Sequence, residues 1–119
     1  MAKNKSIIST RFPYIPVKIT VIENNYDLEA LIDTGFNGHA ILPPKIFTNG
    51  KLPPKFVTCK LADNSIIETP IYRGTIKLGG KKLNDILVLI MGDEPIIGRS
   101  VIKSFKITLD HGRKIIVEA

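Results

Sequence analysis

The sequence predicts an all-β fold, a small barrel or sandwich, and three observations carry that expectation. Short runs rich in β-branched residues alternate apolar with polar positions, turn-forming residues interrupt them at close intervals, and a single stub reads as helix. The 119 residues leave room for one domain over 1–119, which would bury roughly two-thirds of the surface its unfolded chain exposes.

Residues 14–22 alternate around Val and Ile and are expected as a strand, with Glu23-Asn24-Asn25 turning because Asn tolerates left-handed geometry. Residues 26–32 return as its hairpin partner, and Asp33-Thr34-Gly35 breaks that run. Ala40-Ile41-Leu42 is a brief strand stopped by Pro43-Pro44. Residues 45–55, rich in Pro, Asn and Gly, read as a connector with one helical turn around Ile46-Phe47. Residues 56–61 and 66–72 form two strands joined by a tight turn at Ala62-Asp63-Asn64-Ser65. Residues 75–78 and 86–90 flank Gly79-Gly80 as another hairpin. Ile96-Ile97 runs into Gly98 and a short helix over 99–104. Residues 105–109 and 114–118 close the chain around Asp110-His111-Gly112, which reads as a turn despite its Asp-x-Gly spelling.

Composition excludes several classes. Apolar residues make up 44% and charged residues 24%, an ordinary globular balance without disorder bias. The net charge of +6 raises nucleic acid as a partner, but the basic residues are scattered, with Lys81-Lys82 and Arg113-Lys114 the only adjacent pairs. A solvated positive surface, with no nucleic-acid partner, is the expectation. Cys59 is the only cysteine, so no intrachain disulfide forms. His39 and His111 lie too far apart for a zinc set, and no metal or cofactor is expected. Arg11, Pro13 and Pro16 interrupt the N-terminal region, which argues against a signal peptide. The longest apolar run, residues 86–91, is far too short to span a bilayer. A cytoplasmic protein with no membrane partner is the default.

Chemistry concentrates at Leu31-Ile32-Asp33-Thr34-Gly35. The strand becomes apolar as it approaches Asp33, which predicts burial of both its faces. A carboxylate at the end of such a strand would sit in low dielectric, where its charged form is disfavoured and its pKa rises. Gly35 lets the backbone turn sharply, and Thr34 sets a hydroxyl beside the acid. An Asp in a strand-ending turn is also common without any function. What strengthens the signal is a second segment, Pro95-Ile96-Ile97-Gly98-Arg99, where two β-branched residues run into Gly and a helix.

With these two motifs in order, the chain resembles the retropepsin-like aspartic peptidases over most of its length. Asp33-Thr34-Gly35 matches the catalytic Asp-Thr-Gly of that family, and Ile96-Ile97-Gly98-Arg99 matches its hydrophobic-hydrophobic-Gly motif with the Arg typical of retroviral members. The 60–66 segment falls where such enzymes carry the flap. The resemblance implies a closed acid-protease barrel with one short helix near the C-terminus, active as a twofold homodimer. In it, Asp33 of each copy forms a dyad, Thr34 bonds across the axis and Gly35 receives substrate backbone. Ala62, Asp63, Asn64 and Ser65 would contact peptide or protein substrate from the flap. Leu31, Ile41 and Ile96 are expected as walls of an apolar pocket, a role no more favoured by position than plain core packing. Asp93 and Glu94, just before that wall, are expected as solvated loop acids, with recognition of basic substrate residues as the sharper reading. Two departures stand out. The retroviral Asp two residues beyond the catalytic Gly is replaced by Asn37, so Arg99 is left to bond the Asn37 carbonyl or another acid. The flap tip also lacks the family's glycines. Rival readings are a non-catalytic dimerisation or peptide-binding module of the same fold, and a basic β-barrel that binds RNA.

Overall fold

Residues whose side chains branch at Cβ suit the extended backbone, and period-two burial then decides which side faces inward. A computed structural model of the chain describes residues 6–46 and 55–119. Its elements in chain order are β1 (Ile7–Ser9), β2 (Tyr14–Val21), β3 (Asn24–Ile32), β4 (Ala40–Leu42), β5 (Lys55–Lys60), β6 (Ile66–Leu78), β7 (Lys81–Ile90), β8 (Ile96–Ile97), α1 (Arg99–Ile102), β9 (Lys106–Asp110) and β10 (Lys114–Glu118). Strand β2 shows the pattern most plainly. Ile15, Val17, Ile19 and Val21 are buried, while Pro16 and Lys18 between them are exposed.

Strands run in the order β2-β3-β8-β4-β7-β6, and β6 returns to pair with β2, closing a six-stranded barrel. Strand β5 attaches to the free side of β6 as one arm of a hairpin. The core inside the ring includes Ile15, Ile19, Ala30, Leu42, Ile76, Ile86, Val88 and Ile97. A separate sheet, β1-β10-β9, packs Ile115 and Val117 onto the same core while Ile8 (61% exposed) and Leu109 (56%) stay open to solvent. Among the described residues no helix is long and apolar enough to cross a membrane.

Several expectations need correction. The β2–β3 turn falls on Ile22 and Glu23, with φ of 46° and 65°, and Asn24 and Asn25 belong to β3. A two-residue hairpin loop with both residues left-handed matches strand twist. The Ile22 side chain packs against the core, which offsets the unusual backbone of a β-branched residue. The segments expected as separate strands at 66–72 and 75–78 are one strand, β6, because β7 pairs with it without a break from Ile71 to Gly74, where β2 takes up its other side. An extra residue on β7, with Asp85 at φ 55°, makes a bulge opposite Thr75. Strand β1 was not legible in a basic N-terminal stretch. The helix stops at Ile102, shorter than the expected 99–104. The expected helical turn at Ile46-Phe47 falls partly outside the described residues, and Ile46 ends a turn closed by its N–H donating to the Pro43 carbonyl.

Barrel closure passes through Gly74. A Cβ there would lie 2.4 Å from the Thr20 carbonyl oxygen of the neighbouring strand. Gly74→Ala should therefore lower unfolding free energy by about 1–3 kcal/mol, read from the urea midpoint. An unchanged midpoint would mean that the β2–β6 seam is slack.

Candidate active site

The site is built where β3 ends beside β8. Leu31 and Ile32 pair in parallel with Ile96 and Ile97, and β4 pairs antiparallel on the other side of β8. The chain must therefore travel from β3 around β8 to β4, and residues 33–39 make that passage. Asp33 N–H donates to the Ile97 carbonyl at 3.0 Å, extending the β3–β8 ladder to the acid itself. Four consecutive carbonyls of the passage are then consumed. Phe36 O accepts from Arg99 N–H (2.8 Å), Gly38 O from Ser100 N–H (3.1 Å) and His39 O from Gly98 N–H (3.0 Å). Asn37 O accepts from the Ser100 hydroxyl at 2.6 Å.

Gly98 is required by this packing. A Cβ there would meet Gly38 O and Phe36 Cδ2 at 2.5 Å and Phe36 O at 2.6 Å. Its φ of −111° is open to any residue, so close approach alone selects glycine. Phe36 lays its ring over Gly38 as well, where a Cβ would come within 2.5 Å of the ring.

Asp33 is held by its own turn. Its Oδ1 accepts the Gly35 N–H at 2.9 Å, and its carbonyl accepts the Phe36 N–H at 3.2 Å. The acid is half-buried, with Thr34 and Gly35 exposed at the apex. Ala30 is fully buried but Leu31 and Ile32 are only partly so, which corrects the expectation of a strand covered on both faces. The single chain leaves the carboxyl group wetter than the sequence argument required. Among the described residues no second carboxylate bonds to it.

Leu31, Ile96 and Ile41 come together as paired residues on β3, β8 and β4, one row on one face of the sheet. Leu89 continues that row through its pairing with Ile41. Leu31 and Ile96 are partly exposed and Ile41 is buried, so the row is an apolar stretch of the barrel's outer wall. The opposite row, Ile32, Ile97, Ala40 and Val88, faces the core.

The residues expected as a flap belong to a different hairpin, β5–β6. Ala62, Asp63, Asn64 and Ser65 form the exposed tip joining β5 to β6, with Asn64 at φ 71°. Asp63 Oδ1 accepts both the N–H and the hydroxyl of Ser65. The Ser65 hydroxyl and then its amide hold the Asp63 carboxyl below the usual carboxylate range. The tip makes no hydrogen bond to residues 33–39 among the described residues.

Arg99 differs from expectation. Its main-chain N–H binds the passage, whereas its exposed guanidinium has no hydrogen bond or ion pair among the described residues, and the Asn37 carbonyl is taken by Ser100. Glu94 accepts the Tyr14 hydroxyl at 2.7 Å, so it fastens the loop before β8 to β2. That bond, more than burial, raises the Tyr14 phenol above its ordinary value. The roles of Phe36, His39 and Ser100 escaped the sequence reading. Phe36 alone left a signal, an aromatic residue in an otherwise polar loop. The cavity lined by Ile7, Val17 and Glu29 and the one lined by Ile22, Ile71 and Leu87 do not include Asp33.

No family model matches the sequence, and no curated protein matches it. The fold is similar to a solved structure described as a retropepsin-like aspartic protease from Rickettsia conorii. The TM-score is 0.66 at 17% identity, covering 98% of this chain and 94% of that one. The chain has the retropepsin-like fold: an all-β, closed six-stranded barrel with almost no helix.

Gly98→Ala should lower unfolding free energy by about 1–3 kcal/mol or more, and broaden the amide resonances of residues 36–39. A variant as stable as wild type would show that the passage tolerates displacement. His39 supplies a pH test. Its Nδ1 accepts the Leu87 N–H at 3.3 Å, which only the neutral ring can do. Burial first, then the Lys103 charge, holds its pKa below the ordinary value of 6.5. The unfolded chain therefore takes up the proton first. This contribution is complete above about pH 6.5 and is lost as pH falls from there through the folded value. Below about pH 6.5 the melting temperature of wild type should drop more steeply than that of His39→Gln. Parallel slopes would refute the assignment.

Proposed function

We propose that the chain is an aspartic endopeptidase that hydrolyses peptide bonds as a twofold homodimer, with Asp33 and its symmetry mate as the dyad. The observation that carries this reading is the Asp33 carboxylate, fixed by Gly35 N–H at the end of β3 on a retropepsin-like fold. The chain has one Asp-Thr-Gly, and the chemistry needs two carboxylates, so a second copy supplies the other. The β1-β10-β9 sheet supports pairing, since among the described residues the outer edges of β1 and β9 are unpaired and Ile8 and Leu109 are exposed on them.

In the dimer one carboxylate is ionised and takes a proton from the attacking water. The other is protonated and donates toward the carbonyl oxygen as the tetrahedral centre forms. Two close carboxyl groups share one proton because both cannot ionise readily. Thr34 would bond across the axis and Gly35 would receive substrate backbone. The Leu31-Ile96-Ile41 wall favours bulky apolar side chains beside the scissile bond, and the flap tip at 62–65 would close over an extended substrate. The reading takes the protein to be cytoplasmic and to need no cofactor.

Asp33→Asn should lower peptidase activity by about 10²–10⁴-fold, the range for losing a general acid–base, while leaving the dimer intact in sedimentation. Activity on a peptide library should track the dimer fraction and decline at alkaline pH. A variant that cleaves at the wild-type rate, or a fully active monomer, would overturn the dyad. An inert wild-type dimer would favour the non-catalytic module instead.

A further inference from the structure

Outside the site, one feature of the barrel wall stands against its own stability. Lys18 on β2 faces Lys77 on β6, and Lys77 faces Lys82 on β7, in directly paired positions. Strand spacing sets the three stems within roughly 10 Å of one another, and all three are exposed. Like charges directly opposite are unfavourable in a sheet. Asp27, opposite Lys18, is the acid of this row, and none of the three lysines is in an ion pair among the described residues. Lys81, next in sequence, turns to the other face, where its ammonium donates to the Ser104 carbonyl and lies over the Phe105 ring.

The three lysines line a shallow depression of about 690 Å³ together with Thr20, Asn25, Thr75 and Gly80. Thr20 Oγ1 donates to Asn25 Oδ1 at 2.6 Å, which occupies the amide oxygen and leaves the Asn25 NH₂ to donate outward. The depression is therefore cationic and rich in donors. It has no aromatic residue in its lining on which a base could stack. We propose that this face docks an acidic polypeptide segment of another protein, whose carboxylates neutralise the facing lysines.

Binding of a fluorescently labelled octaglutamate peptide, followed by anisotropy, tests this without requiring peptidase activity, so it stands or falls separately from the proposed reaction. Two triple variants of equal net charge are compared with wild type. One is Lys18→Gln/Lys77→Gln/Lys82→Gln, and the other is Lys45→Gln/Lys106→Gln/Arg113→Gln. The row variant should bind at least about tenfold more weakly than the control variant, because close charges act within a Debye length. It should also melt above wild type, since the facing charges no longer repel. Equal loss in both variants would mean that net charge alone attracts the peptide. Tighter binding of an octauridylate probe would make the face a nucleic-acid surface. No wild-type binding, or a row variant that melts below wild type, would also overturn the proposal.

Discussion

The geometry of the candidate site depends on the passage of residues 33–39 around β8. A seven-residue connection at a strand end would ordinarily be among the more mobile parts of a domain. Here successive carbonyls from Phe36 to His39 are bound by residues 98–100, and Asp33 N–H continues the ladder to Ile97. The ordering cost of the connection is thereby offset by hydrogen bonds to its main chain together with the packing of the Phe36 ring. Gly98 permits this because two backbones approach where no Cβ fits. The aim of the Asp33 carboxylate follows from these bonds.

The barrel register then decides what surrounds the acid. Ile96 and Ile97 are chemically identical neighbours, yet one is partly exposed in the wall and the other is fully buried. The difference is the period-two alternation of a strand flanked by β3 and β4. The same register brings Leu31 and Ile41 beside Ile96 and sends Ile32 and Ala40 inward with Ile97. A one-residue slip of β8 would exchange wall and core and would move Gly98 out of the crossing. Close packing at Gly98 and strand register therefore reinforce each other.

Much of this was legible in the sequence because it rests on local patterns. Alternation in residues 14–22 and the turns at Gly79-Gly80 and around Asp110-His111-Gly112 are visible in any short window, although Ile22 falls in a turn and Asp110 still belongs to β9. The Asp-Thr-Gly and Ile-Ile-Gly-Arg segments were legible as two motifs, and the structure brings them together. What escaped depends on partners distant in sequence. Strand β1 has three residues and exists by pairing with β10, over a hundred positions away. The left-handed pair Ile22-Glu23 was hidden because hairpin register, not residue preference, assigned the turn, and the more suitable Asn24 and Asn25 were drawn into β3. The roles of Ser100 and His39 required knowing which carbonyls and amides the fold would leave to be satisfied.

Asp33 itself shows where a single chain stops. In the single chain this carboxyl group accepts one N–H and keeps part of its surface in water. Unusual acid–base behaviour needs either a drier setting or a like charge close by. In the proposed dimer a twofold mate would provide both, with its own carboxyl group close by and its surface over the exposed Thr34-Gly35 apex. The rigidity of the passage matters most in that setting. Two acids sharing one proton must hold a fixed separation, and each contributes its own positional error to it. A loop fastened along consecutive carbonyls would reduce that error in the proposed dimer, so that association would align the pair without having to fold it.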